Sequence, residues 1–128
     1  MSLRILFIVV SLAAHGAVQA DGQAIFAKYC AACHQATGKG IRGAFPALAG
    51  NAFVQGAPEP VAAVLLKGRG GMPDFSPTLS DADIAEVVSF VRGAWGNQAS
   101  AVGAQEVAAL RQSLKAPGFA AGQMSNKH

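Results

Sequence analysis

Charge is scarce in this sequence: only 13% of its 128 residues are Asp, Glu, Lys or Arg, and the basic ones form no run. That excludes the basic stripe or tail of a nucleic-acid binder. Beyond residue 20 no apolar stretch approaches the roughly 20 residues that a bilayer span requires. Cysteine is equally sparse, two residues in all, which leaves at most one disulfide and too few thiols for an all-cysteine zinc site. No repeat, glycine-rich phosphate loop or strand-helix-strand pattern is visible, so a nucleotide-binding α/β architecture is excluded as well. What remains is one domain with a modest core, loosened by 15 glycines.

The first twenty residues do not belong to that domain. Arg4 supplies a positive start, Ile5 to Ala14 are apolar, and Val18-Gln19-Ala20 places small residues at a cleavage position. This is the pattern of a secretory leader cut after Ala20, with the mature chain in the periplasm; left uncut, the leader would be the only membrane attachment. Its removal takes Arg4 and no acid, so the formal charge falls from +3 to +2. The remaining charge is uneven. Lys28, Lys39, Arg42, Lys67 and Arg69 dominate up to Met72, whereas Asp74, Asp81, Asp83 and Glu86 oppose only Arg92 from there to Trp95. The asymmetry predicts either a steering dipole or an ordinary solvated surface.

The two cysteines stand in Cys30-Ala31-Ala32-Cys33-His34, the C-x-x-C-H pattern of covalent haem attachment. The spacing has a physical reason. Two thioethers must reach vinyl groups on neighbouring pyrroles, and a helical turn puts side chains three residues apart on one face. The following imidazole then projects towards iron. Three other readings explain less. A thioredoxin-like pair needs a βαβ surround that is missing. A zinc site needs further ligands, and the mature chain offers only His128. A plain disulfide gives His34 no role.

A second axial ligand is sought among soft or imidazole donors. Once the leader is gone these are Met72, Met124 and His128. The last two lie in a tail rich in Gly, Ser, Asn and Lys, a poor scaffold for a fixed ligand. Met72 lies in Gly70-Gly71-Met72-Pro73, where glycine lets backbone approach a large group and proline stiffens the loop. A methionine filling a gap in the core is the competing role.

Periodicity predicts an all-α domain. A first helix runs from Gly22 to Cys33, and a second from Pro58 to Lys67 with Val61, Val64, Leu65 and Leu66 inward. A third is capped by Ser80 and carries Ile84, Val87, Val88 and Val91 up to Trp95. Residues 35–55 read as a long loop around the cofactor edge, with Phe45 and Leu48 as apolar contacts. The domain is expected over 21–98, a helix or strap over 99–116 and a disordered tail over 117–128. Phe90 and Trp95 should pack on the first helix, with the indole nitrogen of Trp95 free to reach a polar group.

On these motifs the chain resembles the single-haem, mitochondrial-like cytochrome c family over about residues 22–96. The resemblance implies a small fold of three core helices around one covalently bound haem c. It also implies that Pro46 of Pro46-Ala47-Leu48-Ala49-Gly50 accepts the second N–H of the His34 ring, and that Gly22 and Phe26 cross the last core helix at Phe90. Phe45-Pro46-Ala47-Leu48-Ala49-Gly50-Asn51, Gly71-Met72-Pro73 and Trp95-Gly96-Asn97 look like cytochrome domains that serve bacterial periplasmic dehydrogenases, including quinoprotein alcohol and sugar dehydrogenases. The implied function is single-electron transfer rather than catalysis, through a haem held by Cys30, Cys33, His34, Pro46, Leu48 and Met72 with iron on His34 and Met72. Its partners would be a dehydrogenase donor and an oxidase or reductase acceptor, met as a monomer or as a fixed dehydrogenase subunit. A labile Met72 would instead make a haem enzyme or gas sensor.

Overall fold

The computed structural model describes residues 17–120, with side chains from Asp21 onwards. The expected leader up to residue 16, and Met124 and His128, lie outside the described residues. Five helices follow in order: α1 (Ala17–Tyr29), α2 (Ala31–His34), α3 (Pro58–Lys67), α4 (Asp81–Gly93) and α5 (Ala104–Ser113). Among the described residues there is no strand, only isolated bridges pairing Ile41 with Phe45 and Arg69 with Met72. No described helix is long and apolar enough to cross a membrane.

The crossing of α1 and α4 is the centre of the scaffold. A Cβ on Gly22 would collide with the Glu86 carbonyl oxygen and lie 2.8 Å from Phe90 Cβ, so only glycine permits this approach. One turn on, Phe26 stacks against Phe90 and Trp95 at centroid distances of 5.6 and 5.0 Å, and those two rings meet each other at 5.5 Å. The tilted and edge-on arrangement is the one that aromatic quadrupoles favour. Ile84, Val87 and Val88 of α4 are buried with Leu65 and Leu66 of α3 in the same core.

Helix ends follow local chemistry. At α4 the Ser80 hydroxyl accepts from Asp83 N at 3.1 Å, while the Asp83 carboxylate accepts from Ser80 N at 3.0 Å. This reciprocal cap satisfies two donors that the helix cannot. α3 starts on Pro58 and stops at Gly68, which has φ +72°.

Three expectations need correction. The first helix does not run unbroken to Cys33: Cys30, at φ −120°, interrupts it, and its carbonyl accepts from both Cys33 N and His34 N at 3.1 and 2.9 Å. The attachment motif is thereby a separate turn, α2. Val64 is only half-buried, and Ala62 takes its inward place. Trp95 lies beyond the end of α4 at φ +53°, which swings its ring back onto Phe26.

The chain after α4 stays close to the domain. α5 packs on α3 and α4 with Val107 fully buried. Pro117 to Ala120, within the segment expected to be disordered, are tied by Arg111 to Pro117 O at 2.6 Å and by Ala120 N to Pro77 O at 3.2 Å.

Candidate haem site

The site is assembled from three stretches of chain. α2 presents Cys30, Cys33 and His34, the loop between α2 and α3 presents Pro46 and Leu48, and the turn after α3 presents Met72.

His34 is buried, and its Nδ1 lies 2.9 Å from the Pro46 carbonyl oxygen. A carbonyl only accepts, so this contact requires the proton on Nδ1 and leaves Nε2 as a bare lone pair, the tautomer a metal needs. The loop that carries Pro46 is firm despite its glycines. Gly40 N donates to His34 O at 2.9 Å, and Leu48 N and Ala49 N both donate to Gly38 O, at 2.7 and 3.0 Å. Gly38 has φ +66°, and a Cβ there would lie 2.6 Å from Trp95 ring atoms. The indole itself donates from Nε1 to Ala36 O at 3.0 Å, which answers the expectation that it would find a polar partner next to the attachment motif.

The two cysteines are not joined to each other. Burial, and secondly the neighbouring Cys33, push the Cys30 thiol up to about 11. Among the described residues there is no strand to supply the βαβ surround of a thioredoxin-like pair.

Met72 sits at the end of a tight turn. Arg69 N donates to Met72 O at 3.1 Å and Met72 N to Arg69 O at 2.9 Å, and Gly70 has φ +57°. A positive φ at the first central position is the signature of a type II′ turn, for which glycine is the ordinary choice. The methionine is half-buried and packs on the edge of the core.

Polar residues that the sequence left unremarked hold these pieces. Asn97 is buried; its Nδ2 donates to Leu48 O at 3.0 Å and Val91 O at 2.9 Å, and its Oδ1 accepts from Gly50 N at 2.8 Å. Arg92, the one basic residue set against the acids between Met72 and Trp95, is buried at 2% exposure. It donates to Val54 O and Gly56 O, both at 2.8 Å, and to Ser100 O at 2.8 Å. Among the basic residues that dominate the chain up to Met72, Lys39 and Arg42 line an open depression of about 470 Å³ beside Phe45 and Pro46. Arg69 stacks over Phe53 at 5.1 Å, but Lys67 turns away, towards Leu114 O at 3.5 Å.

These residues fit a covalently held haem. The donor set is two thiols one turn apart, an imidazole with its coordinating nitrogen free, and a thioether on a rigid turn. The apolar surroundings fit too: Ile41, Phe45 and Phe53, in the loop that follows α2, remain 44%, 39% and 43% exposed. Large apolar side chains left uncovered next to such a donor set are what a flat hydrophobic cofactor would shield.

Fold and donor set together define a c-type cytochrome domain. The chain belongs to the cytochrome c family: residues 17–91 match the family described as cytochrome c oxidase, cbb3-type, subunit III, and one covalently bound haem c is the family's cofactor. Cytochrome c-552 of Thermus thermophilus is 38% identical over 120 residues, which cover 77% of this chain and 90% of that protein. The gluconate 2-dehydrogenase cytochrome c subunit of Pantoea cypripedii is 34% identical over 105 residues (71% of this chain), and the alcohol dehydrogenase (quinone) cytochrome c subunit of Komagataeibacter europaeus is 36% identical over 114 residues (78%). The chain spans only about a quarter of the length of those two subunits, 24% in each case. It is thus an electron-transfer cytochrome domain.

Proposed function

We propose that this chain is a periplasmic carrier in which Cys30 and Cys33 hold the haem, His34 and Met72 bind iron, and Pro46 and Leu48 shape the pocket. The observation that supports this reading is the 2.9 Å contact between His34 Nδ1 and Pro46 O, because a proton held on Nδ1 leaves Nε2 of the neutral ring open to a ligand. Haem supplies a reversible one-electron couple. The protein's share is geometric and electrostatic. The Pro46 carbonyl raises the basicity of His34 and sets its ring orientation, while the soft Met72 thioether favours the reduced state and so a high potential. With His34 and Met72 both holding the iron, no position would be left for a substrate, which would suit outer-sphere transfer.

The proposed donor is a periplasmic dehydrogenase and the acceptor a terminal oxidase or reductase, met through a small, transient interface with Lys39, Arg42 and Arg69 on its rim. Similarity to cytochrome subunits of gluconate and alcohol dehydrogenases supports the donor side, and the same similarity favours a second reading as a fixed subunit of such an enzyme. Co-purification with a larger dehydrogenase chain selects the second reading.

The test of the site is a haem stain on a denaturing gel together with absorption spectra. Met72→Ala should keep covalent haem, lose the near-infrared sulfur-to-iron band and lower the potential. Loss of the stain in Cys30→Ser with Cys33→Ser completes the assignment. A wild-type protein that stains negative, or a Met72→Ala variant that keeps the band, overturns it.

A further inference from the structure

The segment that bears Met72 leaves α3 at Gly68 and reaches α4 at Ser80. Its first half is tied by the pair of bonds between Arg69 and Met72, and Phe75 N donates to Leu65 O of α3 at 2.8 Å; beyond that Ser76 N donates to the Asp74 carboxylate at 2.7 Å, and Thr78 N and Leu79 N to Phe75 O at 3.0 and 2.8 Å. Two carbonyls of its second half are then bonded from outside. Arg111 of α5 donates from Nη1 to Ser76 O at 2.7 Å and from Nη2 to Leu79 O at 3.0 Å.

The same guanidinium reaches two further acceptors, Asp81 Oδ1 at the first residue of α4, at 2.7 Å, and Pro117 O, at 2.6 Å. Its side chain is only 10% exposed. Just past Arg111, at the C-cap of the same helix end, Leu114 O lies 3.5 Å from Lys67 Nζ, so this end of α5 meets the end of α3 as well. The last turn of α5 thus touches both anchors of the Met72 segment, and it lies outside the residues 17–91 matched by the family. Burying a cation is costly, and apolar side chains alone would have sufficed to dock a short helix. What a planar guanidinium adds is direction: it fixes the orientation of the Ser76 and Leu79 peptide groups at once.

We infer that Arg111 is a positioning residue for Met72, and that α5 is a clasp which keeps the thioether on the iron and other ligands off it. The inference rests on the reading of Met72 as an axial ligand. Truncating Arg111 would orphan two loop carbonyls and let the segment from Met72 to Leu79 open without unfolding the α1–α4 crossing.

The experiment uses the full haem-loaded protein and compares Arg111→Ala, Arg111→Lys and Val107→Ala with wild type. Val107 is fully buried on the same helix, so its truncation weakens α5 without touching the loop carbonyls. Carbon monoxide uptake by the reduced protein, the near-infrared band and the thermal midpoint are read for each. Arg111→Ala should bind carbon monoxide roughly tenfold faster or more, and Val107→Ala should stay within about twofold of wild type at a comparable loss of thermal stability. Arg111→Lys, which keeps the charge but not the fork, should fall between them, and it decides the matter if the alanine variant does not load haem. Uptake that merely follows the thermal midpoint in all three variants overturns the clasp. A band that survives Met72→Ala overturns the ligand reading instead, and is seen without any change at Arg111.

Discussion

The two loops that face the haem site are held in opposite ways. The loop from Gln35 to Ala57 is long and glycine-rich, yet it bonds largely to itself, through Gly40 to His34 and through Leu48 and Ala49 to Gly38. Its remaining clamps, Asn97, Arg92 and Trp95, come from the end of α4 and the residues just after it. The loop from Gly68 to Ser80 is short, is tied at Met72 by its bonds with Arg69, and is braced in its second half by Arg111 of α5, beyond the residues 17–91 matched by the family. The loop that meets His34 through Pro46 is thus clamped from α4 and the residues just after it, whereas the loop that carries Met72 is clamped from α5. Since the clamps share no residue, the two sides should be breakable one at a time.

The largest separation is expected from Asn97→Ala. It strands Val91 O and Gly50 N and leaves Leu48 O only the 3.3 Å bond from Asn51 N, and at about 1–3 kcal/mol per buried unpaired group the loss should reach about 3 kcal/mol or more. Chemical denaturation should record that loss, while the near-infrared band of the surviving folded protein stays intact. Disappearance of the band at full folding would mean that the loops are coupled.

Gly38→Ala ranks next. Its positive φ costs about 1–2 kcal/mol for any other residue, and the added methyl group runs into the Trp95 ring. A loss of about 2–3 kcal/mol is expected, together with a change in Trp95 fluorescence. A silent substitution would show that the ring has room to move.

Trp95→Phe keeps an aromatic ring against Phe26 but removes the indole bond to Ala36 O, so about 1 kcal/mol is expected. The smallest effect lies away from both loops. Burial, then Asp21 and Asp83, hold the Glu86 carboxyl above its usual value, and one of its oxygens is buried without a partner. The folded chain thus binds that proton more tightly than the unfolded chain does, and stability from this group declines as pH rises through the carboxylate range. Glu86→Gln should flatten that decline, with the gain in thermal midpoint greater at pH 7 than at pH 4. An equal gain at both would exclude ionisation as its cause.

Much of the site was legible because its chemistry is local. Cys30, Cys33 and His34 are spaced by one helical turn, Met72 follows a glycine pair at a turn, and Ser80 to Asp83 encode a cap within four residues. The run from Pro58 to Lys67 carries enough apolar periodicity to fix α3 at both ends. The clamps were illegible for the opposite reason. Arg92 reads as a surface cation because its acceptors, Val54 O and Gly56 O, are backbone atoms 38 and 36 residues away, and carbonyls leave no mark on a sequence. Arg111 and its partners at 76 and 79 are separated in the same way. Asn97 did carry a signal, as the last letter of Trp95-Gly96-Asn97, but nothing in the phrase says what the amide holds.

Sequence alone determined which atoms can take a haem, since thiol spacing, the adjacent imidazole and the thioether are covalent facts that need no fold to be counted. Only the tertiary structure decided that the His34 ring meets Pro46 O through Nδ1, and that a cation inside the protein grips the segment after Met72. Those outcomes depend on where main-chain carbonyls from distant segments converge, and every residue type supplies the same carbonyl.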